Sequence, residues 1–455
     1  HDRNTADHLY NVDHPDVVAR KEDVGLTGAV MQSVREVAIC LDGIAIESTY
    51  GHAGGGVVQH GPFAAAAYWT VAKRRGIPLA QLAGTGQSDF FLTYLGCVTK
   101  QQVPTAAGLR LNADLIEFCG EHMPKWVPVS IAGYNGGDTG LNAWQELGAV
   151  FANAIEYLDE VKRRGRTADL TQLAQRVGGV NFRTTMEIFE DAAKLRAARK
   201  MWHRLLTERY GVTDERALKM RIHIVTSGAY MQYQQPFNNI VRGTLMALTA
   251  VLGGTQSLGV SGYDEAISIP SEHAHQMSVR IQQILEHETN IPAVADPLGG
   301  SYYVESLTAE LERRAWEFVD QLLAQGGFLA TLDSGWLHAR ARENQEAQAI
   351  AEARGERKIV GVNCFQEDIT PWEVDGFPPV TDAYPVALER LKAVRRERHE
   401  QAATGAMREL AATCRDPSRN IMPVMMQAVD AEVTIGEIGD IFRQAWGDWQ
   451  TPKLV

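Results

Sequence analysis

From residue 54 to residue 300, short runs rich in β-branched and apolar residues alternate with longer stretches whose apolar positions recur every three or four residues. The runs over 56–60, 82–85, 127–131, 177–182, 220–226 and 255–260, with a further segment around Val294, predict strands, most of them ending in Gly, Ser, Asn or Asp. Helical spacing is clearest over 189–206, where Ala192, Leu195, Ala198, Trp202 and Leu205 share a face, and over 239–252, with Ile240, Leu245, Leu248 and Leu252. Both faces are expected to pack on a core rather than on a ligand. Strands alternating with helices predict an α/β fold with a parallel sheet, and seven such repeats point to a (β/α)8 TIM barrel. One strand is then lacking: either it lies upstream of His1, or the barrel is unusual.

After Leu307 two charged helical stretches run to about Lys358, and Pro371, Pro378, Pro379 and Pro385 then mark a linker where helix cannot continue. Leu388, Leu391 and Val394 recur at three-residue intervals beside Arg395-Arg396-Glu397-Arg398, a pattern of an amphipathic helix with a solvated face rather than a basic binding patch. The expected organisation is a barrel over 1–330, a helical segment and linker over 331–385, and a C-terminal helical region over 386–455.

Composition narrows the class. Of 455 residues, 45% are hydrophobic and 22% charged, which excludes collagen-like, disulfide-scaffold and disordered chains. A formal charge of -12 gives no electrostatic footprint for nucleic acid or an anionic membrane, while leaving room for a local basic pocket that takes a phosphorylated ligand. Cys40, Cys97, Cys119, Cys364 and Cys414 form no C-x-x-C pair, so no zinc knuckle or dithiol site is expected and a reducing compartment suits them. No apolar run approaches the roughly 18 residues of a membrane span, and the polar opening His1-Asp2-Arg3-Asn4-Thr5 is not a signal-peptide core. A cytoplasmic protein is expected.

Several motifs are weak. Gly51-His52-Ala53-Gly54-Gly55-Gly56 lacks the Lys-Ser/Thr ending of a P-loop and reads as an ordinary loop. His273 and His275 would point to different faces of a helix, and no metal site is expected. Gly-x-Ser-x-Gly does not occur. What remains is a set of polar residues near the carboxyl ends of successive predicted strands, where a parallel barrel builds its active site. They are Thr85 and Gln87; Tyr134, Asn135 and Asp138; Arg221 and His223; Gln256 and Ser257; Ser261 and Glu265. Each alone reads more readily as a satisfied turn residue, and their recurrence is the signal.

Many further segments carry a resemblance. Leu82-Ala83-Gly84-Thr85-Gly86-Gln87, Met123-Pro124-Lys125-Trp126, Ala193-Lys194-Leu195-Arg196-Ala197-Ala198-Arg199, Pro236-Phe237-Asn238-Asn239-Ile240-Val241-Arg242, Gly253-Gly254-Thr255-Gln256-Ser257-Leu258 and Asp296-Pro297-Leu298-Gly299-Gly300-Ser301-Tyr302 occur in order. In this the chain resembles the large, substrate-binding chain of the methylmalonyl-CoA mutase family. The resemblance implies a barrel threaded by the pantetheine arm of coenzyme A and facing adenosylcobalamin, whose adenosyl radical takes a substrate hydrogen before the thioester group migrates. It also implies that the first barrel strand lies just upstream of Asp7-His8-Leu9-Tyr10.

Carried over position by position, Tyr10 resembles the tyrosine between substrate and corrin, Gln87 the glutamine near the substrate carbonyl, and Thr85 its polar neighbour. Glu265 matches the acid that binds the adenosyl ribose; Ser261 stands where an Asn partner is usual, and Asp138 falls in the same cofactor-facing set. Tyr134, Arg176, Arg221, His223, Gln256 and Ser257 are candidates for substrate and coenzyme A contacts, guanidinium groups suiting phosphate oxygens.

Departures from the family pattern refine this. Cys97 stands in place of the arginine that pairs with a malonyl carboxylate; a buried carboxylate without a cation is costly, so an uncharged branched acyl group is expected. Asn135 replaces a histidine and can donate a hydrogen bond to the thioester carbonyl without passing a proton. Gly54-Gly55-Gly56 and Val225 replace polar lining residues, and Leu41 falls where hydroxyacyl mutases carry a hydroxyl-binding aspartate. The cobalt-ligating Asp-x-His-x-x-Gly motif does not occur, implying a separate cobalamin-binding small subunit, as in isobutyryl-CoA and 2-hydroxyisobutyryl-CoA mutases. The implied assembly is a heterotetramer of two large and two small chains served by a GTPase chaperone, with region 386–455 contacting the small subunit. The alternatives are a methylmalonyl-CoA-type or 2-hydroxyacyl-CoA mutase, or a non-catalytic barrel subunit.

Overall fold

The computed structural model describes residues 2–54, 56–96, 101–166, 171, 174, 177–367, 374, 376–377 and 380–453. They divide into two compact units. One comprises His1–Ile131, Ala154–Val177 and Pro379–Thr451; the other comprises Ala132–Asn153, Gly178–Pro378 and Pro452–Val455.

In the first unit β1 (Tyr50–His52), β2 (Ala83–Thr85) and β3 (Trp126–Val127) run parallel in that order, with Gly51 opposite Gly84 and Gly84 opposite Trp126. Gly84 is required there, because a Cβ would come within 2.4 Å of both the Gly51 carbonyl oxygen and the Trp126 ring. The predicted strand over 127–131 is split into β3 and β4 (Ser130–Ile131). Pro128 between them has no N–H to give a ladder. The strand expected over 56–60 lies earlier, at β1, so Gly51 and His52 belong to a strand rather than to a glycine-rich loop. Val57 and Val58 are buried in a turn, and His60 already opens the helix His60–Arg74.

That helix buries Trp69 on Phe118, centroids 5.4 Å apart, and edge-on to Trp126 at 5.9 Å. The same core takes in Leu410, Met425, Val429, Ile438 and Phe442 from the helices Glu400–Arg415, Met422–Asp430 and Ile435–Trp446. The expected amphipathic helix is Ala383–Glu397, with Ala387, Leu391 and Val394 buried. Pro385 sits in its first turn, where proline is tolerated, and so does not extend the linker; Pro371, Pro378 and Pro379 lie outside the described residues.

In the second unit β5 (Gly179–Thr184), β6 (Arg221–Thr226) and β7 (Ser257–Gly259) form a parallel sheet in which Asn181, His223 and Ser257 share one row. Val180, Phe182, Thr184, Ile222, Ile224 and Thr226 are buried, while the alternate residues Asn181, Arg183, Arg221, His223 and Val225 stand on the more open face. The crossover helices are Ile188–Arg204 and Asn238–Leu252, close to the predicted spans. No strand forms around Val294: Ile291–Ala293 is a single 3-10 turn containing Pro292, and Val294 is half exposed. The charged stretches after 300 are the helices Tyr302–Ala324, Phe328–Asp333 and Trp336–Ala353. Parallel strands with helical crossovers are compatible with a barrel-type fold.

Candidate functional site

The carboxyl ends of β5, β6 and β7 gather three of the polar residues read from the sequence, Asp138, Ser261 and Glu265. Asp138 ends the short helix Gly133–Asp138; its Oδ1 accepts a hydrogen bond from Ser227 Oγ just past β6 and pairs with Arg183 Nη1 at 3.3 Å. Arg183 reaches it by lying over Gly137, where a Cβ would meet its Nε at 2.4 Å, and it also donates to the Leu141 carbonyl at 2.8 Å. Ser261, beyond β7, donates through Oγ to the Thr226 carbonyl at 2.7 Å and through its N–H to Thr226 Oγ1 at 2.8 Å. Glu265 lies beside Gly228, where a Cβ would stand 3.3 Å from its Cγ. The protein around the Glu265 carboxyl pushes its pKa up, and the Asp264 and Asp138 carboxylates add to the shift against an opposing pull from His275.

Behind this mouth lies a buried ionic network. Lys194 Nζ is 2.8 Å from Glu146 Oε2, 2.9 Å from Asp191 Oδ1 and 2.8 Å from the Arg183 carbonyl. Lys194 and Glu146 have side chains 1% and 0% exposed; burial raises the Glu146 pKa against the opposing pull of the Lys194 and Arg183 charges, and against its burial the Asp191 and Glu146 carboxylates raise that of Lys194. A cavity of about 440 Å³ is lined by Asp138, Arg183, Lys194 and Tyr230 among others.

Lower on the sheet, His223 Nδ1 and Ser257 Oγ are 2.7 Å apart, as their shared row predicts. Gln256 is committed at both ends, accepting from the Ile222 N–H at 2.7 Å and donating to the Gly254 carbonyl at 3.3 Å. Arg221 is exposed at the amino end of β6. A second cavity, of about 620 Å³, is lined by Arg199, Gln256, Ser257, Leu285 and Pro297 among others. Tyr134 and Asn135 are half buried on the helix that ends at Asp138, and Asn135 Oδ1 is enclosed without a hydrogen-bond partner among the described residues.

In the first unit, Thr85 Oγ1 and Ser130 Oγ are 2.8 Å apart at the end of β2, and Gln87 is half buried two residues on. Tyr10 is 2% exposed within a cluster of Val12, Val17, Val24, Ala387 and Leu391, and its hydroxyl has no hydrogen-bond partner among the described residues. Leu9 before it has φ 50°, a left-handed conformation. Cys97 and Arg176 lie outside the described residues. Arg183, Ser227 and the Lys194 network were not singled out as site residues. Arg183 shares the alternating face with Asn181, and Lys194 sits in a matched segment, but neither signal says what the side chain touches.

Residues 5–448 match the sequence pattern of the methylmalonyl-CoA mutase family. The chain belongs to this family. Within it, the chain is similar to the 2-hydroxyisobutanoyl-CoA mutase large subunit of Aquincola tertiaricarbonis, 33% identical over 389 residues, 85% of this chain and 68% of that one. It is also similar to the methylmalonyl-CoA mutase of Cereibacter sphaeroides, 35% identical over 445 residues, 96% of this chain and 60% of that one. A methylmalonyl-CoA mutase large subunit from Streptomyces virginiae is 31% identical over 456 residues, 96% of this chain and 59% of that one. The chain thus spans about 60% of the length of the methylmalonyl-CoA mutases it matches. These relatives are mutases, which are isomerases. Among the described residues of this family member, no helix is long and apolar enough to cross a membrane.

Proposed function

We propose that this chain is the large subunit of an adenosylcobalamin-dependent acyl-CoA mutase that rearranges the carbon skeleton of a branched acyl-CoA lacking a free carboxylate. The observation that carries the reading is the gathering of Asp138, Ser261 and Glu265 at the carboxyl ends of β6 and β7, in a chain of this family. The residues fit an adenosyl group: the bonds to Asp138 go to Oδ1 and leave Oδ2 open, and the Glu265 carboxylate forms no hydrogen bond with the described residues. Both are acceptors suited to ribose hydroxyls. Bound there, the cofactor would supply the organic radical that removes a substrate hydrogen.

This chain's part is to bind, orient and exclude water. The Asn135 amide donates to the thioester carbonyl and stabilises charge there without transferring a proton. Thr85, Gln87 and Tyr10 in the first unit and Tyr134 in the second are the acyl-contact candidates, with Cys97, small and uncharged, in place of an arginine. Arg176, Arg221, His223 and Ser257 contact coenzyme A, while Gln256, tied to the backbone at both ends, shapes the wall beside them. The acyl-CoA domain spans 1–330, and region 386–455 meets a cobalamin-binding small subunit in a cytoplasmic assembly of two large and two small chains, loaded by a GTPase chaperone. The name "large subunit" carried by two relatives supports the partner. The Aquincola relative favours a 2-hydroxyacyl substrate as the second reading, against which Leu41 counts.

Electron paramagnetic resonance tests both. The chain is reconstituted with a cobalamin-binding subunit and adenosylcobalamin, and isobutyryl-, pivalyl-, 2-hydroxyisobutyryl- and methylmalonyl-CoA are added in turn. An organic radical signal with an uncharged branched acyl-CoA is expected; a signal only with the hydroxyacyl thioester moves the assignment to the second reading. A signal only with methylmalonyl-CoA refutes the use of Cys97, and silence with all four despite bound cofactor refutes the mutase assignment for these substrates.

A further inference from the structure

We infer that Arg183 is a positioning residue for Asp138, and that the buried trio Lys194, Glu146 and Asp191 sets the direction in which Arg183 points. The inference rests on the reading of Asp138 as an acceptor for a ligand's ribose hydroxyl.

The backbone of Arg183 is clamped on both sides. Its N–H donates to Glu146 Oε1 at 3.1 Å, and its carbonyl accepts from Lys194 Nζ at 2.8 Å. Lys194 spends its three donors on Glu146, Asp191 and that carbonyl. Asp191 in turn takes the Thr185 N–H at 2.6 Å and the Thr185 hydroxyl at 2.7 Å through Oδ2. Four groups at the end of β5 are thereby fixed by charges from the helices Ile188–Arg204 and Ala143–Arg164.

Apolar residues would hold a strand to two helices with no desolvation cost, so adhesion does not account for a buried ion network. What charges add is direction. With the peptides on either side fixed, the Arg183 side chain, 12% exposed, passes over Gly137 to Asp138. Arg183 and Ser227 both engage Oδ1, so the carboxylate cannot rotate freely and Oδ2 is presented at one orientation.

The test is binding to the full chain by calorimetry of two probes, adenosine and a dideoxyadenosine lacking both ribose hydroxyls. The wild-type chain should prefer adenosine. Arg183→Met should weaken adenosine by about tenfold and leave the dideoxy compound unchanged, because only the hydroxyl acceptor is disordered. Lys194→Met alone strands two buried carboxylates and can unfold the chain, so the second variant is the double change Lys194→Met with Glu146→Gln, which should show the same selective loss. A purely structural network would lower the unfolding temperature and leave the adenosine preference intact; that result in both folded variants overturns the inference while sparing the ribose site. A wild-type chain that binds neither probe, or both alike, overturns the ribose reading and this inference with it.

Discussion

The rings of Tyr10 and His14 lie face to face, centroids 3.5 Å apart and planes 7° apart, with the Arg443 guanidinium 5.0 Å from the Tyr10 centroid. Burial lowers the pKa of His14 below its usual 6.5, the nearby Arg443 charge helping and Asp16 opposing, and burial raises that of the Tyr10 hydroxyl to about 12. The folded chain therefore prefers both rings neutral.

A pH dependence follows for His14. A base whose folded pKa is depressed contributes stability that is fully present above its unfolded pKa and is lost as pH falls below about 6.5, where the unfolded chain binds the proton more readily. Thermal unfolding at pH 7.5 and 5.5 should show a larger drop for wild type than for His14→Phe, which keeps the stack but cannot titrate. Equal drops would remove His14 as the titrating group.

Thr434 opens the helix Ile435–Trp446 with a reciprocal capping box to Glu437, and its hydroxyl also accepts from Asn11 Nδ2 at 2.9 Å. Thr434→Ala should destabilise the chain by about 1–2 kcal/mol in urea unfolding, since it removes a cap and orphans a buried amide donor. A change of a few tenths would show that water replaces the hydroxyl.

Among the described residues Asn135 Oδ1 is enclosed with no hydrogen-bond partner. In the reconstituted enzyme, Asn135→Ala should lower kcat by roughly tenfold to a hundredfold with little change in unfolding temperature. Unaltered turnover would take Asn135 out of contact with the thioester carbonyl.

On the proposed reading, Cys97 replaces an arginine that would meet a carboxylate. Cys97→Arg should shift acyl preference toward malonyl-type acids, measured as the ratio of kcat/KM for methylmalonyl-CoA to that for isobutyryl-CoA. A ratio that does not move would count against placing position 97 on the pocket wall.

Periodicity alone determined a good deal of this protein. The helices Ile188–Arg204, Asn238–Leu252 and Ala383–Glu397 and the strands β2, β6 and β7 lie close to where their spacing puts them, because a repeat of two or of three to four residues is a local property of the chain. The family, too, was legible, since its motifs are runs of adjacent residues. Tertiary structure decided the rest. Val57 and Val58 are as β-prone as any strand residue, yet they are buried in a turn while exposed Tyr50 heads β1, because parallel pairing with Ala83–Thr85 selects the strand. Arg183 is an alternating strand residue in the sequence; only the fold brings it within reach of Asp138, 45 positions away, and within a clamp whose Lys194 and Glu146 are 48 apart. Pairings of that kind depend on where distant backbone segments meet, and a linear pattern carries no record of that meeting.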